Sequence, residues 1–253
     1  MVHSISPQPS NDISARFAGH QVTALMENGL YRHLRFETPG KRGAYAFELI
    51  TWPYNLVVKA GWTFHFSIDG TPDMFIVFRN TAFSGEINPG YWQQKVGAGR
   101  DEIEGFDDQL LKGQIASTLA QWMRDDLDGR VAKRARELGY TLAEVGAVPD
   151  IRRELAQQVR TDWRAANRKL RTAVHEHFFG DMAEYNVEYE SEAHRALHDF
   201  AYTPEGEAPQ WPYYFADWHE WRLKDFTPGF LHCCHAIRHG IDVYDAARKA
   251  VAA

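Results

Sequence analysis

The hydrophobic pattern of this chain changes period once. Between residues 21 and 68 apolar and polar positions alternate with a period of two, as strands with one buried face do. Residues 30–37 alternate most cleanly. Leu30, Arg32, Leu34 and Phe36 fall on one side, and Tyr31, His33 and Arg35 on the other. Residues 21–27, 44–52, 54–59 and 62–68 read as further strands, which predicts an antiparallel meander of about five strands. The turns are marked as well. Asn28-Gly29 tolerates positive φ at both positions, residues 38–43 hold Pro39, Gly40 and Gly43, and Pro53 interrupts the ladder after the third strand. The segment MFIVF at 74–78 has strand propensity. Thr71, Pro72 and Asp73 before it supply an N-cap, a proline at N1 and a first-turn acid, so it reads as a short helix packed on the sheet.

From about residue 100 the period becomes helical. Residues 105–126 carry the stripe Phe106, Leu110, Ile115, Leu119, Trp122 and Met123, and residues 130–138 form a second helix ended by Gly139. Residues 149–179 lack internal Gly and Pro and carry Ile151, Leu155, Val159, Trp163, Ala166, Leu170, Val174 and Phe178 as one stripe, with a break placed near Thr161-Asp162. Ser191 caps a helix running to 200, residues 203–212 read as an exposed loop, and Thr227-Pro228 opens a last helix. The fold class is therefore α+β: an N-terminal antiparallel β-meander of about five strands with a short packed helix, then a mainly helical C-terminal region. The division read from the sequence is a loose tail over 1–12, a sheet region over 13–98 and a helical region over 99–253, which shares a core with the sheet or folds beside it.

Composition narrows the function classes. The 253 residues are 44% hydrophobic, enough for one large core or two modest ones. A formal net charge of −6 excludes a protein that coats nucleic acid by bulk charge and leaves room for a local basic face. The two cysteines, Cys233 and Cys234, are adjacent, so no disulfide framework is available and a reducing cytoplasm is the natural compartment. No window reaches the roughly 20 apolar residues of a membrane span, and residues 1–12 lack the apolar core of a signal peptide.

The sharpest candidate surface lies on the helix over 149–179. At about 100° per residue, with Arg160 as zero, Arg153 and Arg171 lie at about 20°, Arg164 at about 40° and Arg168 at about 80°. Val159, Trp163 and Leu170 face away from this sector, leaving an arginine face suited to phosphates or carboxylates. The competing reading is a solvated face balanced by acids such as Asp107, Asp108, Asp125 and Asp126. The aromatic run Trp211, Tyr213, Tyr214, Phe215, Trp218 and Trp221 is the second candidate, as an interface, a stacking surface or core. Partner- or nucleic-acid-binding is thus expected of Arg153, Arg160, Arg164, Arg168, Arg171, Trp211, Tyr213, Tyr214 and Trp218.

Twelve histidines invite a metal reading. His232, His235 and His239 share a helix face, His194 and His198 are at i and i+4, and His175 and His177 flank Glu176. HExxH, Cys-x-x-Cys, P-loop and dinucleotide-binding spacings are absent, so no catalytic residue, metal ligand or cofactor is assigned.

Four motifs in order, LYRHLRF at 30–36, ITWP at 50–53, TPDMF at 71–75 and INPGYWQQK at 87–95, resemble a group of bacteriophage- and prophage-encoded accessory proteins with no assigned chemistry. Residues 223–226 with Cys233, Cys234, Ala236 and Ile237 resemble the C-terminal signature of that group. The likeness covers residues 20–95, and 215–245 more weakly. The chain departs from the pattern at Tyr54, where the group has Gly, and at His232, His235 and His239, where bulky apolar residues are expected. The resemblance implies an accessory product acting in the host cytoplasm. The expected function is a non-catalytic phage-encoded protein that engages a host protein or nucleoprotein complex, such as an inhibitor of CRISPR interference. The alternatives are a metal-dependent hydrolase or nuclease using the histidines, and a nucleic-acid-binding accessory of phage replication or recombination.

Overall fold

The structure, a computed structural model, describes residues 13–41, 43, 45–79, 87–203 and 212–252. The tail expected over 1–12 and most of the loop expected over 203–212 lie outside the described residues. The chain divides into two compact units, Met1–Gly105 with Asp225–Ala253, and Phe106–Lys224. The expected α+β architecture is present: a sheet with a short helix, then a mainly helical region.

In the first unit the described residues form a six-stranded antiparallel meander in sequence order. Its strands are β1 (Gln21–Asn28), β2 (Tyr31–Glu37), β3 (Phe47–Trp52), β4 (Asn55–Ala60), β5 (Trp62–Ser67) and β6 (Val96–Ala98). β1 is an edge strand, mostly exposed, and its register shifts between Ala24 and Met26. Such an irregularity discourages edge-to-edge pairing with another chain. β2 alternates as read, with Arg32, Leu34 and Phe36 buried. The sixth strand was not legible. β6 is three residues long and contains Gly97, and it exists because β5 offers it an open edge, pairing Phe66 with Val96 and His65 with Ala98.

One face of the sheet is covered by the short helix α1 (Met74–Arg79) and by a long C-terminal helix, Pro228–Ala252. The start of α1 differs from the expected cap. Tyr54 N–H donates to the Pro72 carbonyl at 3.0 Å, and Asp73 rather than Thr71 accepts the helix-opening bond, from Phe75 N at 3.1 Å. The C-terminal helix starts as predicted, with the Thr227 hydroxyl oxygen accepting from Phe230 N at 3.2 Å. It buries Phe230, Cys233, Cys234, Ile237 and Ile241 against Leu34, Phe36, Phe47, Leu49, Phe64 and Phe66. The helix approaches the sheet closely at two glycines: a Cβ on Gly229 would stand 2.6 Å from the Trp62 ring, and one on Gly240 2.8 Å from Leu49 Cδ1 and 3.0 Å from Phe47 Cε2. Any side chain there would push the helix off the sheet. Residues 225–253 share the sheet's core, because a meander with one apolar face needs a cover and this helix supplies most of it.

The second unit is helical. Following α1 and the single turn α2 (Pro89–Trp92), its helices are α3 (Asp108–Glu137), α4 (Leu142–Ala147), α5 (Pro149–Phe178) and α6 (Glu190–Asp199), so the C-terminal helix is α7. Two helices were expected over 105–138, and one continuous helix of 30 residues is found. A helical glycine costs only about 1 kcal/mol, and the Arg130–Asp126 ion pair at 3.0 Å spans Gly129 on the helix surface. α3 is capped by Asp107, whose carboxylate accepts from Gln109 N at 2.7 Å. Thr141 and Glu144 form a reciprocal capping box that opens α4. The short strands β7 (Glu104–Phe106) and β8 (Lys224–Phe226) pair with each other.

Candidate anionic-partner interface on the long helix

The orientation of α5 is fixed by its apolar side. Leu155 packs with Val131, Ala135 and Val145, while Leu170, Val174 and Phe178 join Leu111, Ile115 and Leu197 in a second cluster. Midway, Trp163 Nε1 donates to the Met123 carbonyl of α3 at 3.0 Å, and buried Asn167 donates to the Trp163 carbonyl at 2.9 Å. Arg134 donates to Gln158 at 2.9 Å, and Arg152 pairs with Asp128 at 2.7 Å. These contacts hold the helix straight through Thr161 and Asp162, so the expected break is replaced by 30 continuous helical residues.

With that side pinned, the opposite side faces solvent. Arg160, Arg164, Arg168 and Arg171 are all exposed. Among the described residues none of the four has an ion-pair or hydrogen-bond partner. At 1.5 Å per residue they extend over about 16 Å of one helix face. The positions beside them include the neutral polar groups Gln157, Thr161 and Thr172, with the exposed carboxylate of Glu154 at about 120° from Arg160. Asp162 lies about 200° round the helix from Arg160, away from the stripe. His175, four residues beyond Arg171 and exposed, prolongs the same line. The sequence places His175 among the metal candidates rather than on this face, although the angular spacing that aligns the arginines aligns it too.

Arg153 stands apart from this set. It pairs with Asp150 at 2.8 Å and borders a cleft of about 350 Å³ lined by Leu127, Val131, Val145 and Ala156. The i, i+3 carboxylate one turn back neutralises it, so of five expected arginines four carry an unbalanced charge.

The aromatic run is largely internal. Tyr213 is half-buried, pairs with Tyr202 through two backbone hydrogen bonds of 2.8 and 2.9 Å, and lies 5.2 Å from the Trp122 ring. Trp218 is half-buried with its ring 5.1 Å from His194, and Phe215 is buried among Trp122, Phe178 and Phe200. Tyr214 is exposed. Trp211 lies outside the described residues.

The histidines of the helical unit are dispersed. His177 shares a hydrogen bond of 2.8 Å with the Ala196 carbonyl, His198 pairs with Asp199 at 2.7 Å, and His194 packs on Trp218. Among the described residues no three His, Cys, Asp or Glu side chains converge to hold a metal ion. Cys233 and Cys234 are buried, and burial pushes the Cys233 thiol up to about 12 and the Cys234 thiol upward too, so neither is a thiolate at neutral pH. No helix among the described residues is long and apolar enough to cross a membrane.

The described part of the helical unit thus offers four guanidinium forks along one helix face, each with donors unpaired among the described residues and able to bind anionic oxygens. Comparison of the chain with family models, with curated proteins and with solved structures found no match.

Proposed function

We propose that the protein is a non-catalytic binding protein that docks on a nucleic-acid-containing complex through the arginine face of α5. The observation that carries this reading is the set Arg160, Arg164, Arg168 and Arg171, exposed, in line and without an ion-pair partner among the described residues, in a chain of net charge −6. Like charges at i, i+4 spacing repel by a few tenths of a kcal/mol per pair. A folded chain rich in acids gains nothing from such an arrangement unless a polyanion neutralises it. Arginine forks match phosphate oxygens in geometry as well as charge.

The resemblance of residues 20–95 to phage and prophage accessory proteins supports a host complex as the partner, met in the host cytoplasm. A defence complex that carries nucleic acid, such as a CRISPR interference complex, satisfies both the charge and the context. The test is purification of the tagged chain from plasmid-bearing host cells with and without nuclease. The expected result is a host assembly that contains nucleic acid and is released by high salt, as phosphate contacts are. Nucleic acid recovered without host protein would favour an accessory of replication or recombination. Material free of nucleic acid would overturn the reading.

A further inference from the structure

The sheet unit contains a cluster that this binding role does not use. Phe17 closes the short 3-10 helix Ile13–Phe17 and is fully buried. Its ring lies 5.3 Å from Phe47 of β3, 5.0 Å from His232 and 5.5 Å from His239 of α7, and 5.6 Å from His20. His20 and His239 are 5.6 Å apart. Three imidazoles therefore surround one phenyl ring, where the segment before β1 is held on α7. Nδ1 of His232 and Nε2 of His239 are buried with no hydrogen-bond partner among the described residues.

Such a cage accepts neutral imidazoles and resists charged ones, because an imidazolium nitrogen buried without an acceptor loses its hydration and gains nothing in return. The surroundings add to that resistance. Arg16 belongs to the same short helix, His235 to α7, and His20 to the turn before β1. The uncharged rings of Tyr45 and Trp62 flank His232 at 6.3 and 6.0 Å. Among the described residues, the Asp242 carboxylate pulls the other way on His239. Burial first, then Arg16 and His235, hold His232 below the ordinary histidine range. Burial and then His20 do the same for His239, against the smaller pull of Asp242.

We infer that the Phe17 cage is an acid-sensitive latch: when His232 and His239 take up protons, Ile13–Phe17 leaves the sheet unit and uncovers the apolar surface of Phe47 and α7. Both imidazoles bind protons less readily in the closed state than in the open one. Above about pH 6.5 they are neutral in both states, and the latch holds at full strength. As pH falls below that value the open state takes up protons that the closed cage refuses, and the latch weakens until the depressed closed-state values are passed. This inference is independent of the reading of α5.

Hydrogen exchange of the full chain, read by mass spectrometry at about pH 7.5 and about pH 5.5 and corrected for intrinsic rates, tests it. Peptides covering residues 13–20 are expected to lose protection by about tenfold or more at the lower pH, while β2 to β4 and α5 keep theirs. In the His232→Leu/His239→Leu variant, confirmed as folded by a thermal melt at the higher pH, residues 13–20 are expected to be equally protected at both pH values. Should the double variant fail to fold, His239→Leu alone is expected to shrink the pH response. Unchanged protection of residues 13–20 in the parent, loosening of all elements together, or a response that survives removal of the imidazoles would each overturn the latch.

Discussion

Replacing Arg160, Arg164 and Arg168 together by glutamate is expected to lower affinity for a labelled duplex oligonucleotide by about 10³-fold or more at low salt, with the melting temperature shifted by only a few degrees. A hydrogen bond to a charged group contributes about 1.5 kcal/mol or more. Three lost contacts therefore amount to about 4 kcal/mol, and the new carboxylates add repulsion from the phosphates. Stability should hold because the three side chains are exposed and make no ion pair or hydrogen bond among the described residues, and surface changes of that kind stay within about 0.5 kcal/mol each. Arg153→Glu is the matched control. That arginine is already paired with Asp150, so its reversal is expected to weaken binding by less than about tenfold. Fluorescence anisotropy and a circular-dichroism melt on the same preparations separate loss of binding from loss of fold. A triple variant that binds like the parent would remove α5 from the interface.

The second large effect concerns the sheet unit. Arg32→Ala is expected to destabilise it by about 3 kcal/mol, the low end of the cost of leaving one partner of a buried pair alone. Arg32 points into the apolar side of β2 with its side chain 9% exposed, and grips Asp73 through two bonds of 2.9 and 3.3 Å. Its guanidinium also lies 4.7 Å from the Phe75 ring and 5.8 Å from that of Tyr244. The Asp73 carboxylate continues to Arg79 at 4.0 Å, and Arg79 to Asp245 of α7 at 2.6 Å. The pair thus links β2, α1 and α7. Burial alone would raise the Asp73 carboxyl, but Arg32 and Phe75 N outweigh it and hold the group below the ordinary carboxylate range. A depressed folded-state value gives stability that is present above the unfolded value and lost as pH falls through the folded one. The parent should therefore keep this contribution to lower pH than an unpaired aspartate would allow, and Arg32→Ala should lose that acid tolerance. Arg32→Met with Asp73→Asn leaves no lone buried charge and preserves an acceptor for Phe75 N, so it is expected to recover at least half of the loss. Urea denaturation from about pH 3 to pH 7 measures both effects.

Much of the sheet unit could be read because its signals are local. The alternation of β2, the glycine of the first hairpin and the Thr227-Pro228 start each specify backbone geometry within a few residues, although the two-residue turn is Gly29-Leu30 rather than Asn28-Gly29, since Asn28 pairs with Tyr31. Other features answer to distant parts of the chain. β6 takes its conformation from the free edge of β5, and the cap of α1 moved to Asp73 because Tyr54 holds Pro72. The assignment of α7 to the sheet also depends on distance. Its apolar residues are compatible with any helical packing, and the fits of Gly229 against Trp62 and of Gly240 against Phe47 and Leu49 belong to this one.

The candidate interface was half legible. The 3.6-residue period placed Arg160, Arg164, Arg168 and Arg171 in one sector, and the packing of Leu155, Trp163 and Leu170 turns that sector to solvent. Angular position does not say which arginines are already neutralised, and this separates Arg153 from the rest. Nor does composition separate an aromatic surface from an aromatic core. Tyr213, Phe215 and Trp218 pack with Trp122, Phe200 and His194, which lie between 15 and 93 positions away. Pairing at that range leaves no trace in a run of neighbouring residues.

The central claim, that the free arginines of α5 contact phosphates, is tested most directly by the salt dependence of oligonucleotide binding. Each neutralised phosphate contributes about −0.9 to the slope of log K against log salt concentration, so four contacts predict a slope of about −3.6. Arg168→Gln is expected to bring it to about −2.7 by removing one contact. Binding that ignores salt, or a slope that stays the same when Arg168 is removed, would contradict the account.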